Sequence, residues 1–148
     1  MKENYYVYNN EAMASCMVLS ILDKVKSIKI SRSCLFLPIL LDDRVVSYLL
    51  RKDILNLESF IKDEPRLFLN FNKRYNSLLP VLINSLTLLE RCGYIFISDD
   101  NICIKADINL SRIEGRRFEK VESAIPRLLI LLDKYSTEKL YSILKVRL

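Results

Sequence analysis

Apolar residues recur at helical spacing along most of the chain, and the breaks between them fall on Asn, Asp, Ser, Gly and Pro. Asn10 is an N-cap residue type, and behind it Ala12, Cys16, Leu19 and Leu22 share one face of a helix predicted to run to about Lys26. The basic stretch KVKSIKISR, with Ile28 and Ile30 alternating, reads as a connector. SCLFLPILL follows as a buried helical turn with Pro38 tolerated near its start, and RVVSYLLRK as a second helix capped by Asp42-Asp43. The apolarity of this region on every side argues for a central position. Asn56 opens a short capped helix that ends before Pro65, and a helical segment over about 66–76 comes next. Residues 77–92, SLLPVLINSLTLLERC, form a further helix with Pro80 in its first turn and Gly93 as its left-handed stop.

Two strands, 94–98 and 102–106, fold around Asp99-Asp100-Asn101, where Asp and Asn tolerate a tight turn. After a loop containing Gly115, a helix is expected from about Arg116 to Lys134, kinked or broken at Pro126. STEKLYSILKVRL closes the chain as a helix with a Ser or Thr cap and an early Glu. The predicted fold is mainly α (α+β), a single helical domain over residues 1–148 with one β-hairpin in a winged-helix-like arrangement. A chain of 148 residues buries roughly 68–70% of the surface its unfolded form exposes.

A helix that runs into a hairpin raises the question of DNA. A DNA-reading helix projects basic and amide side chains, because phosphates supply affinity and base edges specificity. The helix here offers Val81, Leu82, Ile83, Leu86, Leu88 and Leu89, with only Asn84, Thr87, Glu90 and Arg91 polar. The hairpin adds Lys105 against Asp99 and Asp100. On a winged-helix scaffold, that is a DNA face converted to protein contact, and residues 78–92 are expected to be mostly buried beneath the hairpin.

Charge does not restore the DNA reading, since 23 basic and 18 acidic residues are interspersed for a net +5. Two local clusters stand out: Lys24, Lys26, Lys29 and Arg32, and Arg112, Arg116, Arg117 and Lys120. They read as solvated helix ends and loops, or as a candidate nucleic-acid surface on which DNA binding is weak or indirect. With no histidine the commonest general base, the partner of a catalytic Ser or Cys, and the usual zinc ligand are all missing. Two glycines cannot build a phosphate loop. Cys16, Cys34, Cys92 and Cys103 form no Cys-x-x-Cys pair and read as reduced core residues. No enzymatic activity, metal or cofactor is expected. The longest apolar run, Cys34 to Leu41, is far short of the ~18 residues a membrane span needs. The polar N-terminal stretch MKENYYVYNNEA lacks signal-peptide character, so a cytoplasmic protein is expected.

The order of four segments, NNEAMAS, LFLPILL, LPVLINSLTLLERCGYI and TEKLYSILKVRL, resembles the middle components of bacterial three-component ABC systems. The resemblance covers roughly residues 9–148, with Lys145 standing at the position of that family's closing Gly. It implies a non-catalytic adaptor that couples an SMC- or Rad50-like ABC ATPase to an effector or sensor protein in a defence system against phage. The alternative from the helix and hairpin alone is a winged-helix DNA-binding protein or transcriptional regulator. For an adaptor, the apolar surplus marks candidate partner contacts: Leu35, Phe36, Leu37, Ile39 and Leu40, together with Leu140, Ile143 and Leu144 beside the cations Lys139, Lys145 and Arg147.

Overall fold

The computed structural model describes residues 2–105 and 115–148, with side chains from Asn10 onward. Local signals set most helix ends. Asp42 caps α3 (Asp43–Arg51) by accepting from the Arg44 N–H at 2.9 Å. Asn56 and Ser59 exchange the two bonds of a capping box at α4 (Leu57–Asp63). Ser136 accepts from the Lys139 N–H to start α7 (Thr137–Ile143). Gly93, at φ +79°, ends α5 (Phe71–Arg91) in a Schellman motif: its N–H donates to Glu90 O and the Tyr94 N–H to Leu89 O. Helix α7 ends in the same pair of bonds, with Lys145 in the left-handed position at φ 57°. Glycine suits that conformation best, and Lys145 adopts it here with a Cβ.

Several expectations give way to tertiary packing. The first helix, α1 (Lys2–Val25), starts well before Asn10, which lies inside it and is buried. KVKSIKISR is no connector: it supplies β1 (Ser27–Lys29) and the first turn of α2 (Ile30–Leu40). Pro38 sits near the end of α2 rather than near its start. The predicted segments 66–76 and 77–92 become a 3-10 turn (Pro65–Leu67) and one long helix, α5, with Pro80 in its interior. Pro126 likewise fails to break α6 (Arg116–Asp133), where Ala124, Ile125 and Leu128 are buried on either side of it. Each proline removes one backbone donor, and the burial of a continuous apolar face outweighs that loss.

β2 (Ile95–Ser98) and β3 (Asn101–Ile104) form the hairpin, turned by Asp99 and Asp100 at φ 49° and 67°. β1 pairs with the other edge of β3, so the antiparallel sheet runs β1-β3-β2, with Ile28 opposite Ile102 and Ile102 opposite Ile97. The second strand was expected to reach Ala106, which lies outside the described residues. Beneath the sheet, α5 packs on α1 and α2, and α6 on α3 and α1. One apolar cluster contains residues from all seven described helices and the sheet. No helix among the described residues is long and apolar enough to cross a membrane.

Candidate partner-binding surfaces

The chain folds back between α2 and α3 at Leu41-Asp42, opposite the first turns of α5, and leaves a cleft of about 740 Å³ there. Its floor is apolar, with Pro38, Leu67, Leu78 and Val81, and its walls carry Arg44, Arg66, Lys73 and Arg74 against Asp42 and Asp43. Asp42 organises the wall. One carboxylate oxygen takes the Arg44 N–H and Nε, and the other takes guanidinium nitrogens of both Arg44 and Arg74. Arg74 also donates to Leu67 O at 3.0 Å and lies over the Phe71 ring at 5.7 Å, so its fork has a single orientation. At the outer wall, Arg117 donates to Asp43 Oδ1 and to Leu41 O, both at 3.2 Å.

Burial pushes the Asp42 carboxyl up, but hydrogen bonds from Arg44 and the charges of Arg74 and Arg44 outweigh it and hold the group below the ordinary carboxylate range. The same burial lowers the Arg74 guanidinium, which Asp42 partly restores. A carboxylate whose folded pKa is depressed contributes stability that is complete above the unfolded value, about 3.9, and lost as pH falls through the folded value. The stability difference between wild type and Asp42→Asn is therefore expected to be constant near neutrality and to shrink only below about pH 3.9, in denaturant titrations followed across the acid range. A difference that persists undiminished at acid pH would mean that packing, not charge, is what Asn disturbs.

The residues singled out as partner contacts are placed elsewhere. Leu35, Phe36, Leu37, Ile39 and Leu40 are all buried in α2, at most 2% exposed. Leu140 and Leu144 are buried as well and Ile143 is half-buried against the core. Their apolarity is used largely inside the chain, and of the eight only Ile143 is partly open to solvent in this conformation. The two basic clusters also stay apart. Lys24, Lys26 and Lys29 are exposed, whereas the Arg32 guanidinium turns inward to Leu132 O at 2.5 Å, Tyr135 O at 3.0 Å and Thr137 Oγ1 at 3.2 Å. Arg32 thus ties down the C-terminal end of α6, while Arg116, Arg117 and Lys120 occupy its first turns, about 22 Å away along the axis at 1.5 Å per residue. Arg112 lies outside the described residues. Only the second cluster borders the cleft, through Arg117.

Sequence reasoning missed the cleft because its cations come from α3, the 3-10 turn and α5 and make no run. It also overstated the burial of the helix before the hairpin. The inner stripe Val81, Leu82, Ser85, Leu86 and Leu89 is buried, but Ile83 and Leu88 are 54% and 53% exposed on an outer face shared with Asn84, Thr87, Glu90 and Arg91. Among the described residues no fully enclosed side-chain N or O lacks a hydrogen-bond partner, and Ser85 donates its hydroxyl to Val81 O at 2.8 Å. Burial pushes the Cys34 thiol up, and burial together with the neighbouring Tyr75 hydroxyl does the same to Tyr141.

No curated protein and no solved structure matches this chain. One family model does, and it spans nearly the whole sequence: the model of the ABC-three component (ABC-3C) system Middle Component 3 matches residues 6–148, and the chain belongs to that family.

Proposed function

We propose that this protein is a non-catalytic adaptor, coupling the SMC- or Rad50-like ABC ATPase of its three-component system to an effector or sensor protein in defence against phage. Membership in a middle-component family supports a role among partner subunits. The observation that carries the reading is the outer face of α5. The element order α1-β1-α2, then α5-β2-β3, with β1 beside β3, resembles a winged helix, in which α5 would be the helix presented to DNA. Here that helix presents Ile83 and Leu88, with Glu90 opposing Arg91. Apolar side chains ringed by one amide, one hydroxyl and one charge of each sign suit a protein partner and leave little attraction for phosphate. The cationic cleft at the other end of α5 suits an acidic element of the same partner.

The test is co-purification with the ABC ATPase and companion protein of its own system. The double variant Ile83→Glu with Leu88→Glu is expected to lose a partner at least tenfold while its circular dichroism stays that of the wild type, since both side chains are exposed. Arg66→Glu with Lys73→Glu is expected to weaken capture mainly at low salt. Full capture by both variants would overturn the surface assignment. Tight, sequence-selective duplex binding by the isolated chain at physiological salt would favour the regulator reading, under which α5 reads DNA.

A further inference from the structure

We propose that two copies of this chain join antiparallel along β2, about a two-fold axis at Phe96, to make one six-stranded sheet. β2 is the outer strand of the order β1-β3-β2. The two-residue turn at Asp99-Asp100 makes Ser98 and Asn101 a hydrogen-bonded pair, and the alternation of an antiparallel ladder then assigns Phe96 with Cys103 and Tyr94 with Lys105 to the same class. The Lys105 N–H does donate to Tyr94 O, at 2.9 Å. On the far side of β3 the alternation is complementary, because the Ile104 N–H donates to Lys26 O. It follows that the N–H and C=O groups of Ile95 and Ile97 point away from β3, and among the described residues no group pairs with them.

Edge strands are ordinarily blunted by a charge, a proline or a bulge. Residues 94–98, Tyr-Ile-Phe-Ile-Ser, have no charge and no proline, and pair with β3 without interruption. Tyr94, Phe96 and Ile97 are each 43% exposed, with Phe96 and Ile97 on opposite faces of the sheet. Charge selects the occupant. The strand ends in the acidic turn Asp99-Asp100 and begins beside Arg91 and Lys105, with Glu90 the one acid near that end among the described residues. Antiparallel pairing of β2 with itself lays each acidic turn along the cationic end of the other copy, twice over; a parallel arrangement would set like charges together. In the register that pairs Ile95 with the second copy's Ile97, all four outward backbone groups of each strand are satisfied. The two Phe96 rings then meet at a non-hydrogen-bonded position, where Cα atoms approach to about 4.5 Å, and Ile97 gains cover from the second copy's Ile95.

A four-residue edge is a small interface, so association in the micromolar range or weaker is expected. Sedimentation velocity on the full chain in reducing buffer, from about 1 μM to 1 mM, should show a concentration-dependent dimer. Ile97→Lys should weaken it at least tenfold, Lys105→Glu less, and added salt should weaken it in the wild type. Amide hydrogen exchange supplies a readout that needs no variant: raising concentration should slow exchange at Ile95 and Ile97 and leave Phe96, already bonded to β3, unchanged. A monomer at every concentration would overturn the proposal. So would a dimer indifferent to Ile97→Lys, or one in which the Ile95 and Ile97 amides exchange as in the monomer.

Discussion

Leu82→Ala is expected to lower the unfolding free energy by about 2–5 kcal/mol, whereas Leu88→Ala, on the same helix, should change it by no more than about 0.5 kcal/mol. Leu82 is 2% exposed and projects from α5 into the junction with α1 and α2, where Met17, Ile21, Phe36 and Leu40 surround it about a void of only about 10 Å³. Truncation removes the transfer energy of the missing carbons and leaves a hole that three packed helices cannot close. Leu88 loses contact mainly with water. Urea unfolding with an unchanged slope gives both values, and equal costs would mean that the inner and outer faces of α5 have been exchanged. The contrast also separates the two uses of leucine in this chain, since only the outer one is free to meet a partner.

Removing residues 137–148 is expected to unfold the chain. Leu140 and Leu144 are buried, and full burial of two leucines contributes about 3–6 kcal/mol, a large share of the 5–15 kcal/mol that holds a typical domain folded. Polar ties add to this. The Tyr141 hydroxyl donates to Ser31 O at 2.6 Å and therefore accepts from Tyr75 at 3.1 Å, while Arg32 reaches Thr137. Loss of α7 would strand the Tyr75 hydroxyl and uncover α2 at once. Far-ultraviolet circular dichroism and protease resistance of the shortened chain decide the point. A shortened chain that stays folded but no longer captures its partner would make α7 a detachable arm, with Leu140, Ile143 and Leu144 available for contact.

The elements that sequence alone located share a cause. Asp42, Asn56, Ser136 and Gly93 act on the backbone within three or four residues of themselves, so a cap or a stop is written where it operates. The apolar segment around LFLPILL and the tight turn at Asp99-Asp100 are local in the same sense, and the central position of the first and the hairpin at the second were legible. Prolines 38 and 80 misled for the converse reason, and of the kink or break expected at Pro126 the break does not occur. A local rule makes proline a helix starter or breaker, but three helices run through them because the faces on both sides are buried by distant partners.

The three-residue β1 carries too few positions to show a period, and only its pairing with Cys103, Ile102 and Asn101, more than 70 positions on, makes it a strand. The family was readable from the order of weak motifs, because order along a chain is a one-dimensional property. Which apolar residues remain outside was not. A helix pattern states that one side is more apolar than the other, and cannot say that the neighbours cover Leu82 and leave Ile83 and Leu88 in water, or that Leu35 to Leu40 of α2 are all buried. The cleft is of the same kind: Arg44, Arg66 and Arg74 have no special meaning along the sequence until the fold brings α3, the 3-10 turn and α5 together around Asp42. Sequence alone therefore determined the helix-rich class, most of its boundaries and its family, all set by short-range chemistry. Tertiary structure alone decided which surface is left over, because exposure depends on what every other element has already covered.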